Sequence, residues 1–88
     1  MRVLVVDDEA PARARLQQIV EELDGYTCVG VAANGDEALQ LAVSKQPDIV
    51  LLDIRMPGLS GIEVANHLNA LEHPPAVVFA TAYDEYAI

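Results

Sequence analysis

The chemistry-bearing residues of this chain are aspartates placed at the ends of apolar runs. Asp53 follows the unbroken run Ile49 to Leu52 and precedes Met56-Pro57-Gly58, a turn signal that stops both strand and helix. A four-residue run with β-branched Ile49 and Val50 reads as a buried strand of a parallel sheet, so Asp53 stands where a central strand meets a loop. Asp7, Asp8 and Glu9 follow a second such run, Val3 to Val6. If the two strands are neighbours, three carboxylates converge on one crevice and raise each other's proton affinity unless a cation intervenes. Oxygen-only ligands at such a site favour magnesium, which keeps waters and takes one or two carboxylates. Taken alone, Asp7 and Asp8 fit a helix cap with favourable dipole placement equally well. Convergence with Asp53 favours the metal.

The elements that must position these groups alternate along the chain. Arg2 to Asp7 is the first strand, and Pro11 falls in the first turn of a helix, where proline is tolerated. Ala12, Leu16, Ile19, Val20 and Leu23 form one apolar stripe of that helix, with Arg13, Arg15, Gln18 and Glu22 mostly on the wet side. Tyr26 to Ala32 reads as a second strand, at an edge because Gly30 interrupts it. Asn34 and Glu37 give a capping signal for a second helix running to about Lys45, with Ala38, Leu41 and Ala42 inward. Ser60 and Glu63 form a capping box for a third helix, with Ile62, Ala65, Leu68 and Leu71 inward. Ala76 to Ala80 reads as a fourth buried strand, with Thr81 at its carboxyl end and Asp84 capping a further helix. This order demands right-handed crossovers and a parallel three-layer α/β sheet. With helices on both faces the strand order is 2-1-3-4, flavodoxin-like, and the crevice opens between the strands ending in Asp7 and Asp53.

Composition narrows the possible functions. The 88 residues are one small domain, 1–88, half of it apolar. A net charge of −9 with five basic residues argues against nucleic-acid contact by this segment, so DNA would be bound only through another domain. No apolar run approaches a membrane span and no secretory signal opens the chain, so a cytoplasmic protein without membrane contact is expected. The single cysteine, Cys28, reads as a small apolar strand residue. Neither a dinucleotide nor a P-loop glycine pattern follows the first strand.

Three motifs together, Asp7-Asp8, Asp53 within LLDIRMPGLSG, and Thr81-Ala82, resemble the receiver (CheY-like) domains of bacterial two-component response regulators. VDDEAPAR and FATAYDEYAI further resemble receivers that precede a LytTR-type DNA-binding domain, as in alginate regulators. The resemblance implies a phosphoacceptor switch, not an enzyme in the usual sense, that takes a phosphoryl group from a sensor histidine kinase onto Asp53. It implies Mg2+ held directly by Asp8 and Asp53, by Asp7 through water, and by the backbone carbonyl of Arg55. Thr81 would hydrogen-bond a phosphoryl oxygen, small Ala82 would leave access, and Arg55 and Tyr83 would flank the pocket. Glu9 reads as a solvated first-turn acid.

The chain departs from that family pattern in having no fifth strand with its lysine and no last helix; its single lysine, Lys45, lies far from the rim. This predicts the N-terminal portion of a receiver. It also leaves the outer edge of AVVFA and the apolar face around Leu16 and Ile19 seeking cover, so a homodimer or higher oligomer joined through fourth strands is expected. Two other classes compete. A haloacid dehalogenase-like magnesium phosphatase also uses an aspartate after a strand, but wants a second aspartate where Arg55 stands. An interaction module without phosphorylation would use the acidic rim for no chemistry.

Overall fold

The computed structural model describes residues 1–80. Its elements are β1 (Arg2–Val6), α1 (Ala10–Glu22), β2 (Thr27–Ala32), α2 (Gly35–Lys45), β3 (Ile49–Leu52), α3 (Gly61–Asn69) and β4 (Ala76–Phe79). The strands form one sheet in the order β2-β1-β3-β4, and every pairing is parallel. That is the flavodoxin-like order expected from the alternation of strands and helices. β2 is the edge strand on one side, and its register slips opposite Val3 and Leu4, where Val29 is left over between Cys28 and Gly30. Such a slip is a bulge, and Gly30 lies beside it.

Pleating sends alternate residues to opposite faces of the sheet. Leu4 and Val6 of β1 and Val50 and Leu52 of β3 face α2 and α3, where they meet Ala38, Ala42, Val64, Ala65 and Leu68. Val3 and Val5 face α1 and meet Val20. Among the described residues the first cluster holds eleven buried side chains and the second three, so the sheet is well covered on one face and thinly on the other.

Both helix starts on the well-covered face are built as their sequences indicate. Asn34 Oδ1 accepts from the Glu37 N–H at 2.9 Å, while Glu37 Oε1 reaches past Asn34 to the Ala33 N–H at 2.7 Å. Ser60 and Glu63 close a full reciprocal capping box. α2 ends where Gln46 turns into the left-handed region at φ 48°, one residue before Pro47.

Three expectations are corrected. Ile62 is exposed, and Val64 takes the buried place instead. With Gly61, Val64, Ala65 and Leu68 inward, a residue two positions before Val64 is rotated about 200° from it at 100° per residue, and points away. The α1 stripe is likewise only partly inward: Val20 is buried, whereas Ile19 and Leu23 are exposed. β4 is not a buried strand; Val78 is 47 % exposed and Phe79 40 %, because among the described residues no strand pairs its outer edge. Thr81, Ala82, Tyr83 and the helix start assigned to Asp84 lie outside the described residues.

Candidate functional site

The register of the sheet carries the acidic residues to one level. Val6 pairs with Leu52, and Leu52 with Phe79, so the next residues, Asp7, Asp53 and Ala80, line up just past the carboxyl ends of β1, β3 and β4. Hydrogen bonds continue the ladder by one step at each: Asp53 N–H donates to the Val6 carbonyl at 3.1 Å, Asp7 N–H to the Ala32 carbonyl at 3.1 Å, and Ala80 N–H to the Leu52 carbonyl at 3.0 Å. Both aspartates are therefore anchored by rigid strands although their side chains lie outside them. Alternation places Asp7 in phase with Val3 and Val5, and Asp53 in phase with Ile49 and Leu51.

One carboxylate oxygen from each of Asp7, Asp8 and Asp53 lies within 4.8 Å of the other two. Asp7 and Asp53 are buried, 7 % and 5 % exposed, and Asp8 is half-buried. Asp7 Oδ1 accepts the Glu9 N–H at 2.9 Å, closing a small turn between β1 and α1. This departs from the helix-cap alternative for Asp7 and Asp8, because the N-cap of α1 is Glu9, whose side chain makes no capping bond. Glu9 itself is exposed. Asp53 Oδ1 accepts the Arg55 N–H at 3.3 Å, which brings the Arg55 backbone to the site.

Burial pushes the Asp53 carboxyl above the ordinary carboxylate range, the Arg55 N–H draws it back, and the charges of Asp7, Asp8 and Glu9 push it up again. A carboxyl whose folded pKa exceeds its unfolded one favours the fold while protonated. That contribution is complete below the unfolded value, about 4, and is lost as pH rises through the folded value. At neutral pH the ionised Asp53 weakens the fold. Asp53→Asn is accordingly expected to melt at a higher temperature than the parent at pH 7 in chelator, with the difference vanishing below about pH 4. A lower melting temperature for the variant at pH 7 would show that the crowding is not repulsive. A hard divalent cation fits this donor set, since it would be met by charged oxygens that have no cation of their own within the triad.

Two contributors were not legible as spacing. Gly61 opens α3 directly beneath the β3 loop; its N–H donates to the Ile54 carbonyl at 2.9 Å, and a Cβ there would meet the Asp53 carbonyl oxygen at 2.3 Å. Arg13, assigned by periodicity to the wet side of α1, is half-buried and donates from Nη1 to the Asp7 carbonyl at 2.9 Å. Both act through the backbone of a strand end, which side-chain pattern does not reveal.

The model of the response regulator receiver domain family matches residues 3–88. The chain is 58 % identical over 89 residues to a positive alginate biosynthesis regulatory protein of Pseudomonas aeruginosa, aligning across 100 % of this chain and 36 % of that protein. It is 44 % identical over 88 residues to the sensory transduction protein LytT of Bacillus cereus, again across 100 % of this chain and 36 % of the relative. The chain thus spans about a third of the length of these curated relatives. Among solved structures it resembles the response regulatory domain of mrkE from Klebsiella pneumoniae, with a TM-score of 0.83 and 31 % identity over 99 % of this chain and 71 % of that one. It also resembles the response regulator domain of Thermotoga maritima CheB, with a TM-score of 0.78 and 38 % identity over 90 % of this chain and 58 % of that one.

Proposed function

The chain belongs to the response regulator receiver domain family, and from that premise we propose that Asp53 is the phosphoacceptor of a two-component switch, charged by a sensor histidine kinase. The observation that carries this reading is the convergence of Asp7, Asp8 and Asp53 at the carboxyl edge of a parallel sheet. In the transfer, an Asp53 carboxylate oxygen forms a bond to phosphorus as the phosphorus–nitrogen bond of a phosphohistidine breaks, and the electron pair returns to the imidazole, which takes up a proton from solvent. Asp8 and Asp53 would hold Mg2+ directly, Asp7 through water, with the Arg55 carbonyl as a further ligand. When bound, the ion supplies neutralisation of the phosphoryl oxygens that approach this acidic rim. The chain's own contribution is positional: two strand ends hold the carboxylates, and the Arg55 N–H orients Asp53. Thr81, its hydroxyl donating a hydrogen bond to a phosphoryl oxygen, and Ala82, the small residue giving access, complete the reading.

Residues 1–88 are read as the N-terminal portion of the receiver, acting as a cytoplasmic switch on an output domain of LytTR type that contacts DNA. The described helices include none long and apolar enough to cross a membrane. Self-association through β4 is a second part of the reading, supported by the exposure of Val78 and Phe79 at the sheet edge. Sedimentation at low and high salt tests it: a monomer in both would rule it out.

Incubation with acetyl phosphate and magnesium chloride, followed by intact mass measurement, tests the phosphoacceptor. The expected result is one phosphoryl group per chain, absent in chelator and in Asp53→Asn. Continuous release of phosphate without a labelled chain would favour the phosphatase class, for which Arg55 is the wrong residue. No labelling and no turnover would leave only an interaction module. Asp8→Ala is expected to abolish the rise in melting temperature that magnesium produces in the parent; an undiminished rise would remove Asp8 from the site.

A further inference from the structure

The α1 end of the acidic crevice is tied down in an unusual direction. A helix start is ordinarily secured by a side chain just before it that accepts from the first-turn N–H groups. Glu9 occupies that place here and makes no such bond. The tie comes instead from inside the helix: Arg13, whose own N–H donates to the Glu9 carbonyl at 2.9 Å, reaches back with Nη1 to the Asp7 carbonyl at 2.9 Å. The Asp7 peptide is thus held from both sides, by Ala32 on its N–H and by Arg13 on its carbonyl, while the Asp7 side chain is held by the Glu9 N–H. Asp7 and the neighbouring Asp8 have few ways to move while those bonds persist.

We infer that Arg13 is a positioning residue for the acidic site, latching the first turn of α1 onto the end of β1 so that Asp7 and Asp8 stay in register with Asp53. The inference rests on the magnesium reading above and concerns a residue whose side-chain bond is to the Asp7 backbone carbonyl and not to a carboxylate oxygen. Charge and geometry predict opposite signs, which makes the role testable. Arg13 is a cation beside a cation site, so through charge alone its removal would tighten magnesium binding. Through geometry, its removal frees the turn and weakens binding, because groups that orient metal ligands are worth about tenfold or more in affinity.

The experiment titrates magnesium chloride against melting temperature in the parent, Arg13→Ala, Arg13→Lys and Arg15→Ala. Arg15 is an exposed arginine on the same helix, shares a groove lining with Asp7 and Glu9, and serves as the charge control. The expected result is a dissociation constant about tenfold higher in Arg13→Ala, partly recovered in Arg13→Lys, and not raised in Arg15→Ala. An unchanged or lower constant in Arg13→Ala overturns the inference, as does an equal rise in Arg15→Ala. If Arg13→Ala does not fold in chelator, Arg13→Met, which keeps a long side chain but has neither the N–H donor nor the charge, is read by the same criteria. A parent that shows no magnesium response overturns the metal reading itself, a result distinct from a responsive parent with an indifferent Arg13→Ala.

Discussion

Gly61→Ala is expected to disturb the site more than any other change of one methyl group. The added Cβ would lie 2.3 Å from the Asp53 carbonyl oxygen and 2.7 Å from the Ile54 Cα, both backbone atoms on the segment that carries Asp53. Backbone cannot rotate out of the way as a long side chain can, so either α3 or the loop must shift. Overpacking of this kind costs about 1–3 kcal/mol. A displacement of about 1 Å at a reacting group costs on the order of 100-fold in rate, so labelling by acetyl phosphate should slow by that order while the chain stays folded. Gly58→Ala is the comparison. Gly58 has φ +80° and open space around its would-be Cβ, so alanine there costs about 1–2 kcal/mol of left-handed strain without pressing on Asp53. Equal labelling rates in Gly61→Ala and the parent would show that the close approach is not what sets the Asp53 position.

The largest loss of stability is expected from Leu52→Ala. Leu52 is fully buried, sits between β1 and β4 in the sheet, and packs into the larger core cluster one residue before Asp53. Emptying such a site costs about 2–5 kcal/mol, a large share of the roughly 5–15 kcal/mol that holds a domain folded. In a domain of this size that corresponds to a fall of roughly 8–40 °C in melting temperature. Leu23→Ala makes the same chemical change on the exposed end of the α1 stripe and should stay within about 0.5 kcal/mol. Comparable losses in the two variants, measured by thermal or urea unfolding, would contradict the asymmetry of the two faces.

That asymmetry also marks where sequence reasoning stopped. Hydrophobic period located all seven described elements, because the strands read as short apolar runs and the helices as stripes. It could not say how deeply a stripe would be covered. Ile19, Leu23 and Ile62 are as apolar as Val20 and Val64, yet their exposure depends on what packs opposite, a property of distant chain segments. The groove of about 640 Å³ along α1, lined by Ala12, Leu16, Ile19 and Ala80, follows from that thin cover and has no counterpart in local pattern.

Residue order alone determined which carboxylates would meet. Asp7 and Asp53 each follow an apolar strand directly, and parallel strands joined by right-handed crossovers put all their carboxyl ends on one edge. The helix caps at Asn34 and Ser60 were legible for a similar reason, since each accepts from an N–H three residues on, within one turn of helix. Tertiary structure alone decided how the carboxylates are held. The Arg13 latch on the Asp7 carbonyl and the fit of Gly61 beneath Asp53 join backbone atoms to groups six and eight residues away, at distances set by the angle between strand and helix. Such contacts depend on three-dimensional placement and not on residue type or period, so they leave no signature in a single sequence.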